Sequence, residues 1–409
     1  MLEKIDITLE ELRHLVSDRA IEGETMLLNM GPQHPSTHGV LRLLVELDGE
    51  TVINCIPDIG FLHTGIEKTM ESKPYAQAEV MSDRMDYLNT VGNNLTYCLA
   101  VEKLADLDVP PRAQAIRVIL AELKRISSHL VWLGTHALDL AAMSVFLYCF
   151  REREMILDIL EMCSGQRMMT TYIRPGGLWR DVPADFEDAV RQILRTFPAR
   201  IDQYEALLTK NPLFLDRTRK IGVISAENAI AWGLTGPTLR ASGPAYDLRK
   251  VAPYSGYEQY DFIVPTGTNG DVYDRYILRI EEMRQALRII EQALDKMPYG
   301  PVRSSNRKFI PPPRAELGLS MEALIHHFKL WTEGFSMPKG AVYMPVESPR
   351  GELGCYMESD GGPLPHRVHF RTPSFVHLQA LPLLSKGHLV ADLVAIIGSV
   401  DIVLGDADR

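Results

Sequence analysis

Between residues 25 and 63 apolar and polar positions alternate with the two-residue period of a half-buried strand. Leu41, Leu43, Val45 and Leu47 share one face, Asp48-Gly49 supplies a hairpin turn, and a second run follows over residues 51–56. This predicts an N-terminal β-hairpin platform. Between its strands lies GPQHPSTHG, residues 31–39, whose two prolines and two glycines exclude a helix and favour an ordered loop carrying His34 and His38. From residue 111 to about 165 the period lengthens: Ile116, Ile119, Leu120, Leu123, Ile126, Leu130, Leu133 and Ala137 recur at helical spacing, continued by an apolar run over 140–150. Long, largely buried helices follow from that pattern. Further helices are expected over 185–197, over 201–208 after a break at Pro198, over 225–234, and over 276–297. In the last of these Ile277, Ile280, Met283, Leu287, Ile290 and Leu294 form one stripe. Residues 341–347, 352–358 and 367–371 alternate between Pro/Gly turns and read as a small antiparallel sheet, and a helix over 386–400 closes the chain.

These elements make an α+β fold with a helical core. Its parts are an N-terminal segment and hairpin platform (1–63), a helical bundle (64–340), and a sheet with a C-terminal helix (341–409), all in one compact unit. The proline run at 311–313 is the one candidate hinge. With 43 basic and 53 acidic residues the chain carries a net charge of −10, which argues against nucleic acid as a partner. Five scattered cysteines without a CxxC pair predict neither a disulfide framework nor a cysteine-built zinc or iron-sulfur site, and fit a reducing cytoplasmic setting. Residues 1–16 are acidic and amphipathic, so no secretory signal is expected. The longest apolar stretches, 140–150 and 389–404, fall short of the ~18–20 uninterrupted residues that span a bilayer. Membrane association is therefore expected through a partner or the surface.

His34 and His38 have the i,i+4 spacing of two metal ligands on a helix, but Pro35 and Gly39 disfavour that geometry; a proton-handling loop and a structural turn both remain open. His136 and Asp139 stand at i,i+3 on an apolar helix, where an ionised carboxylate needs a cation or a donor. They form either a satisfied core pair or a carboxylate held to tune a distant histidine. Arg84, Asp86 and Tyr87 form a dense polar cluster, and ESPRGE at 347–352 offers Arg350 between proline and glycine; charged turns of this kind usually face solvent. Neither GxGxxG nor GxxxxGK[ST] occurs, so the chain alone is not expected to oxidise NADH.

Taken together, the longer motifs resemble one family: the hydrogenase-like, quinone-site subunit (49 kDa, or D, type) of respiratory complex I, NADH:quinone oxidoreductase. The resemblance covers nearly the whole chain. It rests on GPQHPSTHGVLRL from Gly31, GTHALDLAAM from Gly134, REREM from Arg151, RPGG from Arg174, DLRK from Asp247, GDVYDRYILRIEEMRQALRIIEQAL from Gly270 and SKGHLVADLVAIIGSVDIVLGDADR from Ser385. The family is in turn similar to the large subunit of nickel-iron hydrogenases, whose metal is held by RxCGxC and DPCxxC. RMDYLN from Arg84 and DIVLGD from Asp401 occupy those positions, so that Asp86, Asn89, Val403 and Asp406 stand where four thiolates would be. ESPRG from Glu347 echoes the hydrogenase EAPRG, and HTGIE from His63, with Glu67, echoes its RGxE.

The resemblance implies an inherited cavity without its metal, shared with a small iron-sulfur subunit, that receives a quinone headgroup. His38 and Tyr87 are the implied hydrogen-bond partners of the two quinone oxygens, and Asp139 the carboxylate paired with His38. His34, Glu67, Arg84, Asp86, Arg350, Val403 and Asp406 are implied cavity residues. The chain itself binds no cofactor on this reading: quinone is substrate, the iron-sulfur cluster lies on the partner, and FMN and NADH bind elsewhere in the complex. Other peripheral-arm subunits, and a membrane-arm subunit where the quinone enters, are implied partners, with the chain on the cytoplasmic face of the inner (plasma) membrane and its reaction coupled to proton translocation. Two departures stand out: Thr64 replaces a common arginine, and Met169 a common histidine. The competing readings are a metal-bearing membrane-bound hydrogenase large subunit and a non-catalytic scaffold.

Overall fold

The computed structural model describes residues 25–37 and 39–409. The acidic N-terminal segment 1–24 and His38 lie outside the described residues.

The N-terminal platform has one strand more than a hairpin. β1 (Met26–Met30), β2 (Arg42–Asp48) and β3 (Thr51–Asp58) form an antiparallel meander, with Leu28 opposite Val45 and Val45 opposite Cys55. The period-2 face is buried as its pattern requires, Leu43, Val45 and Leu47 being inaccessible to solvent or nearly so. The GPQHPSTHG loop joins β1 to β2. Its described residues include a 3-10 turn, Pro35–Thr37, and a bridge between His34 and Gly39 draws its ends together.

Helices of ten residues or more are numbered in order. The first three are α1 (Thr90–Ala105), α2 (Pro111–Asp139) and α3 (Met143–Ser164). They are followed by α4 (Phe186–Leu208), α5 (Val272–Asp295), α6 (Met321–Thr332) and α7 (Val390–Val400). Proline at the first position starts α2, where a missing N–H costs nothing, and left-handed Gly165 stops α3. α2 is the central rod, packed on α3, α5 and α7. The minor strands β4 (Ile173–Arg174) and β5 (Gly177–Leu178) pair beside it. β6 (Gly340–Glu347), β7 (Glu352–Ser359) and β8 (Arg367–Arg371) form the expected antiparallel sheet, which lies against α1. The fold is thus α+β.

Several boundaries differ from those predicted. Pro198 does not break α4, because Val190, Ile193, Phe197, Ile201, Tyr204 and Leu208 continue one buried stripe through it while Pro198 stays on the exposed face. Packing along that stripe offsets the roughly 3 kcal/mol that an interior proline costs. α5 begins one turn early, since Asp271 caps it by accepting the Asp274 N–H at 2.8 Å. The 225–234 helix is shorter, Ala226–Ala231, and Gly233 in the left-handed region follows it. α7 starts at Val390 instead of 386 because the preceding residues bridge to the start of β3. Gly387 donates to the Val52 carbonyl at 2.8 Å, and Val52 donates to that of His388 at 2.8 Å.

Two apolar clusters result. The larger joins α1–α5 to the C-terminal sheet and includes Met85; the smaller lies under β1–β3 with α7 and includes Val400 and Leu404. The polar site described next lies on the seam between them.

Candidate functional site

The turn between β6 and β7 is closed by paired backbone bonds between Ser348 and Gly351, and it directs Arg350 inward. This charged turn does not face solvent as expected, for Arg350 is fully buried. Its guanidinium is met on every edge. Nη1 donates to Asp86 Oδ2 at 2.6 Å and Ser128 Oγ at 3.1 Å, Nη2 to Asp401 Oδ1 at 3.2 Å, and Nε to the Asp401 carbonyl at 2.9 Å. Each partner is locally fixed. Asp86 sits in the loop before α1, where its Oδ1 accepts the Leu88 N–H at 3.1 Å and Asn93 Nδ2 donates to its carbonyl at 2.9 Å. Asp401, with φ 54°, terminates α7. The chain then enters a short helix, Leu404–Asp408, in which Asp406 Oδ2 accepts the Ser374 N–H at 3.1 Å. A Cβ at Gly405 would stand 2.5 Å from the Met85 carbonyl oxygen, so glycine lets the 401–406 segment close onto the 84–89 segment.

One guanidinium therefore shares a buried site with three carboxyls, and they cannot all ionise at ordinary cost. Burial, and next the neighbouring Asp86, push Asp406 up to about 6. Burial also raises Asp86, with Arg350 opposing the rise and Asp401 adding to it. Burial works against the Arg350 cation, but Asp401 and Asp86 outweigh it and hold Arg350 more firmly protonated than usual. The half-buried Tyr87 faces the same cluster: burial raises its phenol, Arg350 opposes and Asp86 adds. Among the described residues no side chain pairs with the Tyr87 hydroxyl, which leaves it able to bond a ligand.

Asp139 is the last residue of α2 and half-buried, where a strongly apolar setting was expected. Ser128, which touches Arg350, lies eleven residues earlier on the same helix, or ~16 Å at about 1.5 Å per residue. His136 stacks on Trp132 with centroids 5.4 Å apart, beside Gly398 of α7. The described ends of the histidine loop reach the same neighbourhood: Thr37 is buried, and Gly39 lies against the Leu404 side chain. His34 is exposed, its Nδ1 accepting the Ser36 N–H at 3.2 Å. Arg84 is also exposed and donates to the Val80 carbonyl. Glu67 lines a different hollow of about 290 Å³, with His63, Phe375 and Arg409, and accepts from Phe370 N–H at 2.7 Å and Arg409 Nε at 3.0 Å. Thr64 is exposed and Met169 half-buried.

The four positions that the resemblance sets against hydrogenase thiolates do not suit a nickel-iron centre. Val403 has no donor atom, Asn89 offers a buried amide, Asp86 is committed to Arg350 and Asp406 to Ser374. Among the described residues no group of three or more His, Cys, Asp or Glu side chains has the arrangement of a metal site.

Behind Arg350 runs a buried ionic chain that sequence reading missed. Arg279 lies 4.4 Å over the Trp132 ring. Arg240 donates to Glu282 at 2.5 Å and Glu347 at 2.7 Å, and Glu282 also meets His129 Nε2 at 2.9 Å. Burial would raise Glu282, yet Arg240 and His129 hold it well below the usual carboxylate range. Arg249 continues the chain through Asp247 at 2.7 Å to Glu122 at 3.2 Å. The available signal was the row Arg275, Arg279, Glu282 at i,i+4,i+7, which marks one face of α5 as charged.

Among known proteins, the family described as "Respiratory-chain NADH dehydrogenase, 49 Kd subunit" matches residues 139–409. The chain is 65% identical to a D-type subunit of NADH-quinone oxidoreductase from Chloroflexus aurantiacus, over 94% of this chain and 95% of that one. It is 64% identical to the corresponding D-type protein of a Roseiflexus species, over 95% and 94% of the two chains, and 58% identical to that of Geotalea uraniireducens, over 94% and 99%. With the match extending over nearly the whole length of each, the chain belongs to the family of 49 kDa, or D-type, subunits of NADH-quinone oxidoreductase.

Proposed function

We propose that this chain forms the quinone-headgroup site of a proton-translocating NADH:quinone oxidoreductase, on a hydrogenase-derived fold whose metal site has become a proton-handling cluster. In this reading a small iron-sulfur subunit closes the cavity and delivers electrons. FMN and NADH bind on other peripheral subunits, and quinone enters from a membrane-arm subunit on the cytoplasmic face of the membrane. Among the described residues no helix is long and apolar enough to cross a membrane, which suits a peripheral position.

The observation that carries the proposal is the Tyr87 phenol, without a described hydrogen-bond partner, beside a buried Arg350 with three carboxyls around it. Two electrons placed on a quinone in a dry pocket make its oxygens strongly basic, and an uncompensated anion there costs several kcal/mol. Tyr87 hydrogen-bonds one oxygen and gives up its proton as that basicity rises. Arg350 favours the resulting phenolate. The cluster carries more carboxyl groups than its cation can compensate, so a proton held on Asp406 or Asp86 is available to restore the phenol. His38 donates to the second oxygen.

Asp139 acts at one remove. It stands at the far end of α2, ~16 Å along the helix from Ser128 at about 1.5 Å per residue, and in this reading it orients and charges His38. When His38 loses its proton, Asp139 loses its partner, and that local change of charge biases a relay toward the membrane.

The test is made in the assembled complex. Tyr87→Phe and His38→Ala should lower quinone reductase turnover while NADH oxidation by an artificial acceptor, taken upstream of the quinone, stays normal; normal quinone kinetics in both variants would reject the site. Asp139→Asn should impair quinone reduction or the proton translocation coupled to it, and a variant normal in both would remove Asp139 from the scheme.

A further inference from the structure

A further cavity, of about 120 Å³, lies outside both the Arg350 cluster and the Glu67 hollow, between β4 and the C-terminal end of α6. Trp179, Trp331 and Phe335 form apolar walls; Arg174, Arg303 and Glu79 supply its charge. Its volume decides what it can hold. Sites for free organic ligands run to roughly 300–1,000 Å³, whereas a cavity of ~150 Å³ holds a single benzene ring. This one takes one side chain.

Its electrostatics choose the sign of the occupant. Arg174 and Arg303 crowd each other, and burial together with the Arg174 charge lowers the pKa of Arg303. Glu79 is the one carboxylate in the wall and is already paired with Arg174. Arg174 Nε is buried without a hydrogen-bond partner among the described residues. Two guanidiniums and one committed carboxylate leave a positive wall with an unmet donor.

Trp331 belongs both to this wall and to an apolar stripe that faces outward. On α6, Met321, Leu324, Ile325, Phe328 and Trp331 are 43–69% exposed, while Leu330 is the one buried residue of the helix. Their i, i+3, i+4, i+7 spacing is that of a core-facing helix face with none of the described residues packed over it. A helix that lies on a membrane would be rich in Lys and Arg along its polar side; α6 and its C-cap carry Glu322, Lys329 and Glu333. That balance favours protein over lipid.

We propose that α6 and the Arg174/Arg303 cavity form one docking surface for another subunit of the same enzyme. That subunit lays an apolar segment along α6, inserts a side chain into the cavity, and sets an Asp or Glu carboxylate against the two guanidiniums. The proposal rests on the chain working as a subunit, which its family establishes, and is independent of where quinone binds.

A photoreactive amino acid in place of the exposed Phe328, in the assembled complex, tests it. One other subunit should be labelled, at a segment with an apolar residue and an acidic residue within one helical turn. Arg303→Glu should reduce the labelling about tenfold or more, and reversing the partner's acidic residue to lysine should restore it. Ile325→Asp, which leaves the cavity intact and lies on the surface, should reduce labelling as well, with the unfolding curve of the isolated chain unchanged as the control. Labelling of lipid, of a second copy of this chain or of no protein overturns the proposal, as does a yield indifferent to both substitutions. Quinone reductase activity is not the readout, so the quinone site can fail while this interface stands, and the reverse.

Discussion

Replacing Asp406 with asparagine removes a charge that the fold disfavours. Asp406 is buried, and burial plus the nearby Asp86 carry its pKa from 3.8 to about 6. The folded chain therefore binds a proton at this position more tightly than the unfolded chain does. Between about pH 4 and pH 6 the native state holds the extra proton, so this group's contribution to stability is complete below that window and is lost as pH rises through it. Roughly two tenfold steps in proton affinity amount to about 3 kcal/mol. Asparagine keeps the size of the side chain, can accept the Ser374 N–H as Asp406 does, and never ionises, so it escapes that penalty. Urea unfolding of the full chain should find variant and wild type equal near about pH 3, with the variant about 2–3 kcal/mol more stable near about pH 7.5. A variant no more stable at the higher pH would mean that Arg350 already holds Asp406 as an anion, and Asp406 could not then store a proton for Tyr87.

Arg350→Met should destabilise the chain by about 3–5 kcal/mol at neutral pH, since it leaves Asp86 and Asp401 buried without their cation, and the loss should shrink as acid protonates them; chemical unfolding across pH measures both effects. Gly405→Ala drives a Cβ to 2.5 Å from the Met85 carbonyl oxygen, where backbone on both sides must move, and should cost about 1–3 kcal/mol with loss of quinone turnover in the complex. Pro198→Ala should stabilise the chain by about 1–3 kcal/mol by restoring a helical N–H on the exposed face of α4, read as a higher urea midpoint with no change in activity.

Periodicity sufficed wherever one buried face decided the local structure. The alternation of Leu43, Val45 and Leu47 on β2, the apolar row along α2 and the three strands around residue 350 all lie close to their predicted positions, because apolar burial is a local constraint repeated along the chain. The long motifs also identified the family and pointed to Tyr87, Asp86, Arg350 and Asp406 as neighbours. What no local pattern contains is the depth at which a charge comes to rest. ESPRGE reads as a solvated turn until β6 and β7 fold it against α2 and α7; Arg84, two residues from Asp86, points outward; and Asp401 belongs to the cluster because it ends a helix whose neighbours are far away in sequence. Pro198 and the start of α7 likewise follow from packing partners elsewhere in the chain. The sequence by itself thus determined the elements, the family and most of the polar cast. The tertiary structure alone decided which of those charges share a dry seam, since Coulomb energy and desolvation depend on distance and burial, and neither is set by position along the chain.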